Sequence, residues 1–213
     1  MKKETLRRTT LAIDDSLLLQ TKSLAASTRA SLTRLIQDLA EWNQMQQIAR
    51  SFAIAAHGDQ KYGDRPYAYH LDAVARLAEP YGVDAVVIAY LHDTVEDSAI
   101  TVRDIEQQFG LKIAQCVGLL TDEPGANRKE RKVKTYAKLA AVTWPNEISL
   151  VVKTADRLAN VRACVSDEKQ TLLAVYLSEH QVFRQSAYRS GLCDPLWGEL
   201  DGLLSYTGFD ANR

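Results

Sequence analysis

Val83-Asp84-Ala85-Val86-Val87-Ile88-Ala89-Tyr90-Leu91-His92-Asp93-Thr94-Val95-Glu96 is apolar on nearly every side of a helix as far as His92. It then places His92, Asp93, Glu96 and, one residue on, Asp97 within six positions. A helix without a polar face belongs in the interior of a bundle, so the segment predicts a buried central helix over 83–96 and a mainly α fold around it. Residues four apart share a helix face, which sets His92 over Glu96 and Asp93 over Asp97. Four ionisable groups beside so apolar a run are costly to bury without compensation, and a divalent cation supplies it. The alternative is a polar helix end emerging into solvent, but residues 86–91 are too apolar for an ordinary exposed face.

The flanks continue the helical pattern. Leu35, Leu39, Trp42, Met45, Ile48, Phe52 and Ala55 recur every three or four residues, predicting one long helix or two nearly continuous ones. Further helices are predicted over 69–78, 102–109, 111–120, 129–141, 148–165, 169–183 and 196–204, with breaks near Pro80–Gly82 and at Gly110. The 213 residues, 46% hydrophobic and 25% charged, suffice for one well-buried domain and a small appendage and exclude wholesale disorder.

A net charge of −1 offers no global attraction to nucleic acid or membrane, although residues 1–40 carry +3 and the remainder −4. Cys116, Cys164 and Cys193 form no CxxC or other zinc spacing and read as buried or idle thiols in a reducing compartment. No apolar run of membrane-spanning length and no signal-peptide core occurs, so a cytoplasmic location is expected.

A metal needs more ligands than one His-Asp pair. The chain has four histidines, His57, His70, His92 and His180. His70 heads a predicted helix, and Asp156 is an acid emerging from the apolar segment Val151-Val152-Lys153-Thr154-Ala155-Asp156. Two imidazoles and two carboxylates form a mixed site suited to Mn²⁺, Fe²⁺ or Zn²⁺ more than to Ca²⁺. His57 reads as a non-ligand, either orienting a ligand or satisfied within its helix, and His180 as a surface residue.

Taken in order, the motifs Ala56-His57-x-x-Gln60, Tyr67-x-x-His70, His92-Asp93-x-x-Glu96-Asp97, Thr121-Asp122 and Lys153-x-Ala155-Asp156-Arg157-Leu158-x-Asn160 resemble the hydrolase domain of the RelA/SpoT family, and most of all its small stand-alone alarmone hydrolases. The resemblance runs from about residue 45 to 162 and more loosely to 204. It implies an all-α HD fold with one Mn²⁺ (Fe²⁺, Zn²⁺ or Mg²⁺ as alternatives) held by His70, His92, Asp93 and Asp156. It also implies Glu96 and Asp97 as the pair that orients or deprotonates water, and removal of the 3′-pyrophosphate from ppGpp or a related nucleotide. Arg128 aligns with a phosphate-contacting lysine and Asn160 with a residue near the ribose; with Lys61, Tyr62 and Lys153 these are the expected substrate contacts. Arg131 and Lys132 either join them or lie on a solvated helix face.

The chain departs from the family at Gln60-Lys61-Tyr62-Gly63-Asp64-Arg65-Pro66, a short loop with Tyr62 near the place of a base-stacking arginine. Either Tyr62 or Arg65 is placed to stack on a purine. Leu71 stands where a proline usually follows the histidine, a change expected to affect helix initiation more than chemistry. The length leaves no room for a synthetase domain, so hydrolysis alone is expected.

The first 42 residues read as a separate module, with the hydrolase domain over 43–213. Arg8-Thr9-Thr10-Leu11-Ala12-Ile13 alternates as a short strand, Asp14-Asp15-Ser16 starts a helix, and Ser31 caps a second one. Over residues 5–42 this resembles a ribbon-helix-helix domain, whose strand pairs with that of a second copy. The resemblance implies a homodimer, with Thr9, Leu11 and Ile13 facing the core. Arg8, Thr10 and Ala12 would face DNA bases, and Ser31 would sit at a phosphate. A pure dimerisation arm without DNA is the alternative. Beside the hydrolase stand two other readings: a DNA-binding regulator whose HD domain senses a nucleotide, and a phosphohydrolase acting on another nucleotide or an RNA end. Glu96 and Asp97 favour the enzyme, since a pure sensor needs no water-activating pair.

Overall fold

The computed structural model describes residues 21–23 and 32–206; the expected strand at 8–13, with Arg8, Thr10, Ala12, and the cap Ser31 lie outside them. The chain divides into two units, one ending at Gln44 and the other starting at Met45. Ten α-helices occur among the described residues: α1 (Leu32–His57), α2 (Ala68–Ala78), α3 (Val83–Leu91), α4 (Thr94–Asp97), α5 (Val102–Phe109), α6 (Leu111–Leu120), α7 (Arg128–Ala140), α8 (Ile148–Ser166), α9 (Gln170–Ala187) and α10 (Asp194–Tyr206). The fold is mainly α, as the periodicity predicts. None of these helices is long and apolar enough to cross a membrane.

Helix α8 is the hub of the second unit and packs against α2, α3, α6, α9 and α10. Its Leu150, Val152, Ala155, Leu158 and Val161 are fully buried, as are Ala85, Ile88, Ala89 and Leu91 of α3. Each large apolar side chain so buried contributes roughly 1.5–3 kcal/mol, the surplus that offsets ionisable groups held at the centre of the fold. Arg50 docks α1 onto α2 through a bidentate pair with Asp72 at 2.7 and 2.8 Å, and Phe52 meets Phe109 of α5 edge-on at 5.3 Å. Thr101 and Asp104 form a reciprocal capping box at the start of α5. Gly110, at φ +85°, turns the chain from α5 into α6 in a conformation that side-chain-bearing residues avoid.

The single helix expected over 83–96 is broken. Helix α3 ends at Leu91, and α4 is one turn starting after Asp93, whose φ −99° and ψ −6° lie in the bridge region. The cause is local. His92 Nδ1 bonds the Ala89 carbonyl at 2.7 Å and the Thr94 hydroxyl donates to the Leu91 carbonyl at 2.7 Å. These side chains occupy the acceptors that a continuing helix would use.

Between α1 and α2 lies an antiparallel hairpin that the sequence reading treats as plain loop, β1 (Lys61–Tyr62) and β2 (Arg65–Pro66), turning through Gly63 at φ +61°. Leu71, in the place of the usual proline, is fully buried, and its N–H bonds the Tyr67 carbonyl at 3.3 Å, a bond that proline lacks.

Candidate active site

Three elements converge on one point: the first turn of α2 supplies His70, the α3–α4 break His92 and Asp93, and the middle of α8 Asp156. Both imidazoles are 2% exposed or less. Their Nε2 atoms lie 3.3 Å apart. Asp93 Oδ2 stands 3.0 Å from His92 Nε2 and 3.6 Å from His70 Nε2; Asp156 Oδ1 stands 3.4 Å from His70 Nε2 and 3.7 Å from His92 Nε2. Because His92 Nδ1 is used on a backbone carbonyl, its Nε2 is left to face the cluster.

Metal–ligand bonds of about 2.0–2.2 Å place neighbouring donors roughly 3–4 Å apart, so His70, His92 and Asp93 fit a first-row divalent ion, and Asp156, at 3.4 and 3.7 Å from the two imidazoles, stands beside them as a fourth donor. Suitable atoms of His70, His92 and Asp93 all lie within 4.8 Å of one another. Burial works against the charged imidazoles, yet the facing carboxylates outweigh it and raise His70 and His92. Burial likewise opposes the Asp93 and Asp156 carboxylates. For Asp93 the histidines override it, and for Asp156 Lys153 and the histidines do, so both stay well below the usual carboxylate range.

Glu96 and Asp97 sit on α4 beside this cage. The Glu96 carboxylate accepts the Asp122 backbone N–H. Partial loss of hydration, then the Asp122 and Asp93 charges, hold its carboxyl above its ordinary range despite the pull of Lys153. Asp97 is fixed differently, by the Gln60 amide at 3.1 Å. The Tyr67 hydroxyl donates to Asp93 Oδ2 at 2.6 Å and lies 3.1 Å from Asp97 Oδ2, so one phenol joins the two acids. His57 stacks on Tyr67 at 4.2 Å and bonds Gln60 at 2.8 Å, away from the cage. Gln60 and Tyr67 stand in the sequence motifs with no role assigned to either; the tyrosine's position one turn before His70 is the signal that marks it.

Cations line the same cavity of about 240 Å³. Lys153 is 6% exposed, and although burial opposes its charge, Asp156, Glu96 and Asp93 hold the ammonium above its normal range. Lys132 pairs with Asp122 at 2.8 Å, while burial and the neighbouring Lys153 push it down. Arg128 is bonded bidentately to Glu179 of α9 at 2.8 and 3.1 Å. Arg157, 5% exposed, donates to the Tyr136 hydroxyl at 2.6 Å and lies between the rings of Tyr176 and Phe183. Tyr176 and Glu179 carried no signal in the sequence.

Of the expected substrate contacts, Tyr62, Arg128, Lys153 and Asn160 line this cavity, whereas Lys61 is exposed on the hairpin and is not among the lining residues. Arg131 lines only the adjoining recess, and Lys132 lines both spaces. Arg65 is held by Asp167 at 2.8 and 3.2 Å and lies 4.5 Å over Tyr69. His180, expected at the surface, is partly buried against Trp197 and bonded to Asp201 at 2.8 Å. The three cysteines are buried and free.

An HD-domain family model matches residues 49–193. A guanosine-3′,5′-bis(diphosphate) 3′-pyrophosphohydrolase of Aquifex aeolicus is 30% identical over 172 residues, 78% of this chain and 24% of that protein. A probable enzyme of the same name from Synechocystis is 33% identical over 176 residues, 78% of this chain and 23% of that protein. The bifunctional (p)ppGpp synthase/hydrolase SpoT of Escherichia coli is 26% identical over 170 residues, 76% of this chain and 24% of that protein. This chain thus spans about a quarter of the length of the curated relatives it matches. Among solved structures, a metazoan ortholog of SpoT superposes with a TM-score of 0.66 at 21% identity, covering 77% of this chain and 96% of that one. A Listeria monocytogenes protein gives 0.55 at 23%, covering 64% and 94%. These two likenesses concern the fold.

Proposed function

The chain belongs to the HD-domain family, and from that premise we propose that it is a metal-dependent phosphohydrolase that removes the 3′-pyrophosphate of ppGpp or a closely related nucleotide. One observation carries the reading: the cage stands between two chemically distinct spaces. On one side is a recess of about 540 Å³ whose three cations, Arg128, Arg131 and Lys132, are the groups a polyphosphate would meet, set among the acids Glu96, Asp97, Asp122 and Glu123. On the other is a cavity of about 450 Å³ that shares His70 and Tyr62 with the 240 Å³ cavity at the cage; its Tyr69, Ala73, Leu77, Ala159 and Ala163 suit a flat base, and Arg76, Arg162 and Ser166 complete its wall. The relatives' names agree with such a substrate.

His70, His92, Asp93 and Asp156 would hold the ion; the mixed nitrogen and oxygen set suits Mn²⁺, Fe²⁺ or Zn²⁺, and the family resemblance points to Mn²⁺ among them. When bound, the ion supplies Lewis acidity toward water and toward a phosphate oxygen. Glu96, with its raised pKa beside the cage, is suited to take the proton of the attacking water. Lys153 keeps its charge where the phosphate charge shifts, and Arg128 and Lys132 stand where the departing pyrophosphate needs cations. The test is to incubate the Mn²⁺-loaded protein with ppGpp and resolve the products. GDP and pyrophosphate are expected; release of single phosphates, or no turnover, would refute the assignment.

A nucleotide substrate supports a cytoplasmic location. We further propose that the chain is a homodimer through residues 5–42. Ile36 and Trp42, 51% and 47% exposed on α1, support this by offering apolar surface for a second copy. Sedimentation of the full chain as a monomer would contradict it. Whether that segment also meets DNA through Arg8, Thr10, Ala12 and Ser31 is decided by a gel shift against the protein's own promoter with and without residues 1–40.

A further inference from the structure

Tyr62 stands where a base-stacking residue is expected, but both ends of its side chain are engaged elsewhere. Its ring lies face to face on the His70 imidazole, with centroids 4.8 Å apart and planes within 14°. Its hydroxyl donates to Asn160 Oδ1 at 2.8 Å. Asn160 Nδ2 in turn donates to Asp156 Oδ1 at 2.6 Å and to the Asp156 carbonyl at 3.0 Å. That Oδ1 is the oxygen turned toward both histidines. One tyrosine therefore touches one of the four cage side chains directly and reaches a second through a single amide.

The hairpin makes this possible. Pairing of Tyr62 with Arg65 closes the turn at Gly63, where a Cβ would come within 2.9 Å of Lys169 Nζ. Bonds from Arg65 to Asp167 at the end of α8 anchor the opposite strand. Tyr62 also lines both the cage cavity and the 450 Å³ cavity beside it, so its ring is part of the wall between them.

We propose that Tyr62 is a positioning residue for the metal cage, fixing the His70 ring plane and, through Asn160, the inward oxygen of Asp156, and that it is not the platform on which the substrate base stacks. The inference rests on the metal reading above. Groups that orient metal ligands typically change affinity by about 10–100-fold when removed. Stacking and the hydroxyl relay are separable, because phenylalanine keeps the first and loses the second.

The experiment is a Mn²⁺ titration of the full-length protein, reading free Mn²⁺ by electron paramagnetic resonance. It compares wild type, Tyr62→Phe, Tyr62→Ala, Asn160→Ala and the double variant Tyr62→Phe/Asn160→Ala. The metal-free melting temperature serves as the folding control. Tyr62→Phe is expected to raise the Mn²⁺ Kd about tenfold and Tyr62→Ala by up to about 100-fold. The double variant should bind no more weakly than Asn160→Ala alone, because the hydroxyl acts through that amide; a purely structural role would make the two losses add. A Mn²⁺ Kd within twofold of wild type in Tyr62→Phe, with a raised KM for the nucleotide in Tyr62→Ala, would overturn the inference and return Tyr62 to the base site. Should Tyr62→Ala fail to fold, Tyr62→Phe decides alone. Failure of the wild type to bind Mn²⁺ is a different result, overturning the metal reading and this inference with it.

Discussion

Two places among the described residues bring histidine against carboxylate in partly or wholly buried surroundings, and they differ in whether the polar atoms pair off or converge. Between α9 and α10, Asp201 takes His180 on one oxygen at 2.8 Å and Arg184 on the other at 3.1 Å. Both Asp201 oxygens have donors and a cation matches the anion, so the charges are closed off pairwise, although the buried His180 Nδ1 has no hydrogen-bond partner. At the cage, two imidazole nitrogens face each other and two carboxylate oxygens, from separate elements, at 3.0–3.7 Å. The lesson is that adjacency of His and Asp does not make a site. Convergence of ligand atoms from separate elements on a shared centre does, because a cation placed there engages them together.

The comparison breaks first at Asp93. Asp93→Ala should cost at least about 10⁴-fold in pyrophosphate release, the several kcal/mol that metal catalysis contributes. His180→Asn should leave kcat within about twofold, since it touches nothing in the cavity. Next comes Glu96→Gln, expected to lower kcat about 10²–10³-fold by removing the proton acceptor while Mn²⁺ still binds. Equal losses of kcat and of Mn²⁺ binding would make Glu96 a ligand instead.

The third test concerns stability. Glu179 accepts Arg128 and faces Arg157 at 3.1 Å; burial opposes its charge, but the two arginines hold its carboxyl below the ordinary range. A carboxylate with a depressed folded pKa stabilises the fold fully above the unfolded value of about 4.3, and that stabilisation fades as pH falls through the folded value. Glu179→Gln should lower the melting temperature by about 4–8 °C at pH 7, and the gap should close as pH falls below about 4. A gap independent of pH would mean that packing rather than charge holds the arginines. The smallest effect belongs to the closed cluster: His180→Asn should cost about 1 kcal/mol, or roughly 2–4 °C, with the same kinetics as wild type.

Helix existence was legible, and so were the limits of α2, α5, α6, α7 and α8, which follow the 3.6-residue apolar period to within a residue at each end, whereas α9 runs four residues past the expected 183 to Ala187 and α10 extends two residues beyond 196–204 at each end. The break at His92–Asp93 was hidden, since the period runs straight through it and the cause lies in side chains bonding Ala89 and Leu91. The motifs singled out the four cage residues, and the structure places their side chains together. Partnerships from distant helices left no trace in the sequence. Nothing local says that Glu179 of α9 will meet Arg128 of α7, or that the ring of Tyr62 will lie on His70. Lys61 was expected near substrate as part of a loop, but the hairpin leaves it exposed, while Tyr62 lines the cavity.

The central claim is that the cage is an open catalytic metal centre. Its most direct measurement strips the protein with chelator, adds back Mn²⁺ stepwise, and follows pyrophosphate release from ppGpp in wild type and Asp93→Ala together. Activity should rise to a plateau at one Mn²⁺ per chain in wild type and stay at background in the variant. Equal activity of the two proteins, or full activity in the stripped wild type, would contradict it.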